Sequence, residues 1–368
     1  MAKSKKKRSF FYWLIAAMNT IAVLALLVSY FAAWVNPEVN WQIAFFGLAY
    51  PFFVLINFIF ALYWIIRKRW FAIIPIFAIA IGWNTLSDYI QFNSAEKTST
   101  DKKIKILSFN AHLFKPIKTN KYDKQSKHEM MEMILNEEAD VMCIQEFYYR
   151  KKGIYDIKDS LMEKGSYKYF EQEIFEKNET ETMSMAIFSK YKIINAELVS
   201  FYDRPHANMS MIVDIVKAGD TVRVFNVHLQ SISFQPEDYQ YLDKVKSEVD
   251  ADLVSSKRIG ARLKNAFIRR AKQAEKIKEL IDESPYPVIV AGDFNDTPAS
   301  YAYHVISNNM KNTFREKGFG VGITYNGAFP NFQIDYILCS EKLQVLNFKI
   351  IKKKYSDHYP IVSEISLN

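Results

Sequence analysis

The chain has 368 residues and a net charge of +8, from 48 Lys and Arg against 40 Asp and Glu. This length exceeds one average domain and predicts two structural units. Eight of the basic residues and two of the acidic residues fall in the first 95 positions, so the rest of the chain has 40 basic and 38 acidic residues, a net charge of +2. A nearly neutral second unit argues against tight, purely electrostatic binding of duplex nucleic acid.

The first unit consists of three apolar segments, at residues 10–35, 41–66 and 71–92. Uncharged runs of about twenty residues are long enough to cross a bilayer as helices. A cleavable signal peptide is the alternative for the first run, because basic residues precede it. Two more apolar segments follow, however, and the run has no small-x-small cleavage site. We therefore predict a transmembrane region over residues 1–92 with about three helices, then a polar linker over residues 93–101.

The basic residues predict the orientation of this region. They cluster before Phe10 and at residues 67–69, whereas the turn at residues 36–40 has none. Cytoplasmic segments are enriched in Lys and Arg, so three crossings place the N-terminus and the 67–69 turn in the cytoplasm. We then expect a multi-pass protein of the cell membrane whose second unit is extracytoplasmic. The alternative is that residues 71–92, diluted by Asn84 and Asp88, lie in the interface and leave that unit in the cytoplasm.

The second unit repeats one pattern, in which a short apolar run ends in a polar residue. Residues 287–291 indicate a buried strand and lead into Gly292-Asp293-Phe294-Asn295. Side chains alternate along an extended chain, so Asp293 and Asn295 are predicted to point the same way while Phe294 enters the core. The same pattern puts further polar residues at strand ends: Asn110, Glu146, His228, Asp335, Asp357 and His358. Such an oxygen-rich set suits a hard cation beside a phosphate.

Strands and helices are interspersed through the second unit, which predicts two packed mixed β-sheets flanked by helices. A long basic helix around residues 257–281 includes Arg270, and we expect it to have a solvated face, with lipid headgroups or a polyanion as the alternative contact. The polar insertion at residues 231–256 is predicted to form a loop and helix beside the site. Cys143 and Cys339 lie in apolar runs, so we expect free, buried thiols.

Taken together, the strand-end motifs resemble the endonuclease/exonuclease/phosphatase superfamily. That group includes pancreatic-type deoxyribonucleases, abasic-site endonucleases, inositol polyphosphate phosphatases, neutral sphingomyelinases and deadenylases. The motifs are Ser-Phe-Asn110, Gln145-Glu146, Asn226-Val227-His228-Leu229, Gly292-Asp293-Phe294-Asn295, Ile334-Asp335-Tyr336 and Ser356-Asp357-His358. The resemblance covers residues 102–368 and implies a catalytic domain with a four-layer α/β sandwich, deoxyribonuclease-I-like, and a site at one edge of the stacked sheets. It does not identify the ester, because one fold hosts many substrates.

The chemistry of phosphate ester cleavage assigns a role to each site residue. Glu146, Asn110 and Asp357 are predicted to hold Mg²⁺, with Mn²⁺ as the alternative, because a divalent cation neutralises the charge that develops on phosphate. His358 needs an orienting partner, for which Asp335 is the candidate. Three further residues complete the site: Asp293 orients or deprotonates the water, Asn295 holds the water or the phosphate, and His228 donates to a phosphate oxygen. The sequence leaves open whether Asp293 or His358 is the general base.

Two positions depart from the superfamily pattern. Some members have a carboxylate where this chain has His112, and we expect His112 to pack or to support a ligand, with metal binding as the alternative. Many relatives have Arg just before the Ile-Asp-Tyr motif, where this chain has Gln333. Loss of that cation is expected to alter phosphate contacts and to leave the proposed catalytic set intact.

The expected function is that of a membrane-anchored, divalent-metal-dependent phosphoesterase, nuclease-like, acting on a phosphodiester or phosphomonoester. A phospholipid-headgroup hydrolase, sphingomyelinase-like or phosphoinositide-phosphatase-like, is the first alternative, and a non-catalytic membrane-tethered binding module is the second. The expected partners are a phosphate-ester substrate (nucleic acid or phospholipid headgroup) and the lipid bilayer. No protein partner can be inferred from the sequence.

Overall fold

A computed structural model describes residues 9–94, 102–116, 123–153, 155–248, 252–327 and 330–367. Residues 9–94 form an N-terminal helical region, and the later residues form a C-terminal region. The N-terminal helical region contains α1 (Phe10–Tyr30), α2 (Pro37–Leu48), α3 (Tyr50–Ile66), α4 (Ile73–Ile81), α5 (Trp83–Leu86) and the short strand β1 (Ile90–Phe92). Among the described residues, one helix, Phe10–Ala33, is long and apolar enough to cross a membrane, with 24 residues and a mean hydropathy of 2.1.

Helices α1 and α3 run in opposite directions. At one end, Nε1 of Trp64 donates to Oδ1 of Asn19 at 2.8 Å, and the Arg69 guanidinium lies 5.8 Å from the centre of the Tyr12 ring. At the other end, the rings of Tyr30 and Tyr50 lie 5.9 Å apart. The turn at residues 67–69 therefore lies beside the start of α1, and the start of α3 lies beside the end of α1.

The second and third predicted membrane helices are each interrupted in the structure. The predicted helix at residues 41–66 is two helices, α2 and α3, bent by 48° where they meet. Pro51 explains the bend, because it lies in the first turn of α3, where its missing N–H and its ring stop the preceding helix from continuing. The predicted helix at residues 71–92 breaks at Gly82, and its last residues form β1 instead. Of the predicted linker, residues 95–101 lie outside the described residues.

The C-terminal region alternates strands and helices, as its apolar pattern predicts. Its first half contains β2 (Lys103–Asn110), α6 (Lys124–Leu135), β3 (Val141–Arg150), α7 (Ile157–Lys164), β4 (Tyr169–Lys177), β5 (Glu181–Ser189), β6 (Lys192–Val199), β7 (Ser210–Lys217) and β8 (Asp220–His228). Its second half contains α8 (Pro236–Glu248), α9 (Leu253–Asp282), β9 (Val288–Asp293), α10 (Tyr301–Ser307), β10 (Met310–Asn312), α11 (Thr313–Lys317), β11 (Phe319–Val321), β12 (Asp335–Ser340), β13 (Gln344–Ile350) and β14 (Ile361–Ser366).

The described strands form two 6-stranded sheets and one small ribbon. The orders are β10-β12-β9-β8-β7-β6 and β13-β14-β2-β3-β5-β4, and β1 pairs with β11 in the ribbon. Both sheets are mixed, because β8–β9 and β2–β3 are parallel pairs and the others are antiparallel. Apolar side chains of both sheets share one core. Helices α6 and α7 cover one outer face, and α9 and α10 cover the other. The result is the predicted four-layer α/β sandwich.

Helix α9 is longer than the sheet that it covers. Its C-terminal half packs Ala274, Ile277 and Ile281 on the first sheet. Its N-terminal half packs Leu263 and Phe267 against α2 and the 231–256 insertion. The N-terminal helical region therefore docks on the C-terminal region through α2, and its apolar surface shares a core with α9.

Candidate active site

Three neighbouring strands bring three of the predicted residues together. Asp293 ends β9, and the strand register places His228 of β8 and Asp335 of β12 directly beside it. Gly292 precedes Asp293, and a Cβ atom there would lie 2.0 Å from the carbonyl oxygen of Val227. Only glycine lets β8 and β9 approach this closely, so the Gly-Asp-x-Asn motif has a backbone reason as well as a chemical one.

Asp293 is the centre of the hydrogen-bond network. Its Oδ2 accepts from Nδ2 of Asn110 at 3.0 Å and from Nδ2 of Asn295 at 3.1 Å, and its Oδ1 accepts from the backbone N–H of Asn295 at 2.7 Å. The side chain is buried. Burial raises the pKa of Asp293 to about 6, against the opposing effect of His358. The network therefore aims one carboxylate oxygen into the site and keeps it from rotating.

His358 is held from behind by Asp335. Its Nδ1 lies 3.1 Å and 3.0 Å from the two carboxylate oxygens of Asp335. A carboxylate only accepts, so Nδ1 carries the hydrogen. Its Nε2 lies 3.7 Å from Oδ2 of Asp293. Burial alone lowers the pKa of His358, but Asp335 and Asp293 outweigh burial, so the pKa lies well above its usual value. Asp335 and His358 are thus in the contact that the predicted pair requires.

His228 approaches the same carboxylate from the other side. Its Nε2 lies 3.6 Å from Oδ2 of Asp293 and 4.0 Å from Oε1 of Glu146. Its Nδ1 lies 3.1 Å from the carbonyl oxygen of Ala207, which only accepts, so Nδ1 carries a hydrogen. Burial lowers the pKa of His228, against the opposing effect of Asp293. Donation to a phosphate oxygen from Nε2 therefore requires the doubly protonated ring.

Glu146 lies at an irregularity in β3. The pairing of β3 with β5 shifts register between Ile144 and Phe147, and Glu146 has a φ of 48°. The shift turns the carboxylate out of the strand alternation and toward Asp357. Burial and then the Asp357 carboxylate raise the pKa of Glu146, and a hydrogen bond from Asn110 opposes the rise. Two carboxylates that repel each other beside an amide form a donor set suited to a hard divalent cation.

A second group also has metal-binding residue types. Among the described residues, ligand atoms of Asp293, Asp335 and His358 all lie within 4.8 Å of one another, and the three side chains are buried. Nδ1 of His358 and both oxygens of Asp335 are already committed to each other. An ion there would have to displace that contact. The carboxylates of Glu146 and Asp357 are not committed to a histidine ring in this way, so they fit a cation better.

The predicted residues line one cavity of 310 Å³. Those with side chains at its wall are Asn110, Glu146, His228, Asp293, Asn295, Asp357 and His358. Asp335 lies behind His358 and does not line it. His112 does line it, with its Nδ1 3.3 Å from the carbonyl oxygen of Lys115. Gln333 lines a different cavity, and its neighbours Phe332 and Ile334 line this one.

Sequence reasoning missed a buried ion pair under the site. Arg270 was expected on a solvated helix face, and this expectation is wrong: its side chain is 1% exposed and its Nε lies 3.0 Å from Oδ2 of Asp296. Its guanidinium also donates to the carbonyl oxygen of Asn295. The signal was present, because Arg270 follows Phe267 by three residues and precedes Ala274 by four, which puts it on the apolar stripe of α9.

A four-layer sandwich with acidic, amide and imidazole side chains at one sheet edge is the architecture of a class of phosphoesterases. The chain belongs to the Endonuclease/Exonuclease/phosphatase family, which matches residues 107–358. Residues 8–89 match a Domain of unknown function (DUF8431). Members of the former family are hydrolases of phosphate ester bonds, so this chain is an enzyme of that class. No curated protein matches the chain.

Solved structures share the fold. An endonuclease/exonuclease/phosphatase from Beutenbergia cavernae is 16% identical with a TM-score of 0.51, over 73% of this chain and 72% of that one. One from Bacteroides vulgatus is 18% identical with a TM-score of 0.51, over 72% and 99%. A humanized D. rerio TDP2 with 14 mutations is 16% identical with a TM-score of 0.50, over 72% and 99%. At this identity the likeness establishes the fold and not the substrate.

Proposed function

We propose that the chain is a membrane-anchored phosphoesterase that uses a divalent cation to hydrolyse a phosphodiester or phosphomonoester by in-line attack of water, in the manner of the nucleases of its family. One observation supports this most directly. Nε2 of His228 and Nε2 of His358 lie 3.6 Å and 3.7 Å from the same oxygen of Asp293. Proton transfer to and from a phosphate ester requires hydrogen-bonding groups that surround the reacting atoms, and these three side chains converge in that way.

Glu146 and Asp357, with the amide oxygen of Asn110, are the residues that would hold the cation. When bound, a divalent ion supplies positive charge against the developing charge on phosphate and lowers the pKa of a bound water. Mg²⁺ is the ion we propose, with Mn²⁺ as a substitute, because all three ligands are oxygen donors. The electrostatic repulsion between Glu146 and Asp357 supports this assignment, since a cation between them would relieve it.

The remaining residues move protons and orient groups. Water oxygen forms the new bond to phosphorus while the ester P–O bond breaks. Asp293 is the acceptor for the water proton, and Asn295 and Asn110 hold its carboxylate in place. His358, fixed by Asp335, gives a proton from Nε2 to the leaving oxygen, so that the atoms and charges balance. His228, when doubly protonated, donates from Nε2 to a non-bridging phosphate oxygen.

Membrane anchoring is supported by the packing of the N-terminal helical region. The 67–69 turn lies beside the start of α1, and the other end of the bundle contacts α9 and α10. Helix α1 is long enough to cross a bilayer, and α3, which follows the docked helix α2 at a 48° bend, would form the second span. We propose that residues 70–86 complete a third crossing, which places the catalytic domain on the side opposite the 67–69 turn, outside the cytoplasm.

The test is turnover of a chromogenic phosphodiester and a chromogenic phosphomonoester by the purified full chain. We expect a chelator to abolish turnover and Mg²⁺ to restore it. Glu146→Gln and Asp293→Asn should each lower the rate by at least about a hundredfold, because each removes several kcal/mol of transition-state stabilisation. Glu163→Gln is the matched control, since Glu163 is exposed on α7. Full turnover in the chelator, or in either site variant, would overturn the proposal.

A further inference from the structure

The catalytic cavity has one polar side and one apolar side. The polar side is the set of catalytic residues. The apolar side is formed by Leu48 from α2, Leu263 and Phe267 from α9, and Phe234 from the 231–256 insertion. These four residues belong to one hydrophobic cluster that joins the N-terminal helical region to the C-terminal region. The helices that precede the catalytic region therefore supply part of the wall of its cavity.

A second cavity continues the apolar wall. It has a volume of 280 Å³ and lies at the bend between α2 and α3, where Pro51 and Phe52 line it together with Val321 of β11. Phe332 lines both cavities. The rings of Phe52 and Phe332 lie 6.5 Å apart, nearly perpendicular. Phe332 and Phe52 thus connect the wall of the catalytic cavity to the second cavity at the start of α3.

The wall is held in place by close packing. Gly47, next to Leu48, lies against the backbone of Ala299, where an added Cβ would come within 3.0 Å of the carbonyl oxygen. Phe45 meets Phe267 at a ring separation of 5.2 Å, edge to face. Close packing of this kind fixes the position of α2 relative to the catalytic residues. Leu48 is therefore a fixed part of the cavity.

Beyond the second cavity, the apolar surface opens outward. Val321 is 45% exposed, and the ribbon of β1 and β11 presents Phe92 and Phe319 at 77% and 75% exposure. Val321 of this ribbon lines the second cavity beside Pro51 and Phe52 at the start of α3. Contiguous exposed apolar surface of this kind marks a contact with a membrane or an apolar ligand.

We infer that the substrate is a lipid phosphate ester drawn from the bilayer, with its phosphate at Asp293 and its hydrocarbon chain along Leu48, Phe332 and Phe52. This inference rests on the proposed function and names the substrate class of the same site. A polynucleotide would place its next phosphate or its sugar against this wall, whose four apolar side chains offer no charge. Arg270 also lines the cavity, but it is already paired with Asp296, and the burial of an unpaired charge is costly. Burial of a hydrocarbon chain against the wall is favourable instead, because it removes apolar surface from water.

Two homologous series test the inference, with the full chain in lipid nanodiscs. One is p-nitrophenyl alkyl phosphodiesters and the other is alkyl phosphate monoesters, from methyl to dodecyl, below their critical micelle concentrations. We expect kcat/KM in one series to rise about threefold to fourfold for each methylene that reaches the wall. Equal kcat/KM for methyl and dodecyl esters would overturn the inference and leave the phosphoesterase proposal standing. No turnover in either series would overturn the phosphoesterase proposal itself.

Variants on α2 assign the effect to the wall. Leu48→Asn should lower the ratio of dodecyl to methyl kcat/KM at least about tenfold, and Leu48→Met should restore it, because Met keeps the volume and polarity of Leu. Val39→Asn is the matched control, since Val39 is on the same helix and 84% exposed. A ratio unchanged by Leu48→Asn would overturn the placement of the chain. Efficient cleavage of a single-stranded oligonucleotide with a flat alkyl series would overturn the lipid substrate in favour of nucleic acid.

Discussion

Nδ1 of His358 lies 3.0 Å from Oδ2 of Asp335, and both side chains are buried. The backbone of Asp335 is held as well, because Oγ1 of Thr324 accepts from its N–H at 3.0 Å. Asp335 therefore has a fixed position and holds the imidazole of His358 through Nδ1. The ring is left with one free position, Nε2, which faces Asp293.

This pair predicts non-additive kinetics. His358→Ala and Asp335→Ala should each lower kcat at least about a hundredfold, the lower range for general acid–base assistance. The double variant should be little worse than His358→Ala alone, because Asp335 acts through the imidazole. Steady-state kinetics on a chromogenic phosphate ester measure the three rates. Losses that multiply in the double variant would show that the two residues act independently.

The buried pair of Arg270 and Asp296 predicts a large change in stability. Arg270→Met leaves Asp296 charged and unpaired under the site, which costs about 3–5 kcal/mol. The expected result is a clear drop in the thermal unfolding midpoint of the full chain in detergent. Arg270→Met with Asp296→Asn should recover part of the loss, since no unpaired charge remains. Lys276→Met is the control on the same helix, because Lys276 is exposed. An equal drop in Arg270→Met and Lys276→Met would argue against a special role for the pair.

The strand-end residues were predictable because local rules govern them. Period-2 alternation and apolar runs locate β2, β8, β9 and β14, and parallel or adjacent strands bring their ends together. Strand β6 is not predictable in this way, because its side chains are mostly exposed and give no apolar pattern. Strand β3 continues four residues past Glu146, to Arg150. The register shift within it arises in its pairing with β5. No local sequence signal reports such a partner.

Long-range packing was the main thing that the sequence could not show. The apolar stripe of α9 was visible, but it gives no information on which surface covers it. Its N-terminal half packs on α2, a helix more than 200 positions earlier in the chain. The bend between α2 and α3 makes that contact feasible, and Pro51 was the one local signal for it. The membrane region and the catalytic region were predicted as separate units, and the shared wall at Leu48 follows only from their docking.

Gly47 predicts whether that docking matters. An alanine Cβ at this position would lie 2.5 Å from Cβ of Ala32, so α2 must shift away from its neighbours. Gly47→Ala should raise hydrogen exchange of backbone amides in α2 and lower the dodecyl to methyl ratio of kcat/KM. Gly260→Ala is the matched control, because Gly260 is also helical and an added Cβ there meets nothing within 4 Å. Both changes gain about 1 kcal/mol of helix propensity. Unchanged exchange in Gly47→Ala would indicate that α2 adapts without loss of contact.

The arrangement of α1 and α3 predicts the topology. The start of α1 and the 67–69 turn lie at one end of the bundle, and the catalytic region lies at the other. Basic residues precede α1 and form that turn, so the positive-inside rule puts this end in the cytoplasm. Both native cysteines are buried in sheet strands, which gives a low background for thiol labelling.

Two matched serine-to-cysteine variants of the full chain test this prediction in intact cells. Ser9 precedes α1 and Ser256 lies in α9, and both are exposed. A membrane-impermeant maleimide should label Ser256→Cys in intact cells and Ser9→Cys only after permeabilisation. The reason is that an odd number of crossings separates the two positions. Labelling of neither variant before permeabilisation would mean that residues 70–86 lie in the interface and that the catalytic region faces the cytoplasm. In that case the esters within reach would be those of the inner leaflet and of cytoplasmic nucleic acids, and the alkyl series would decide between them.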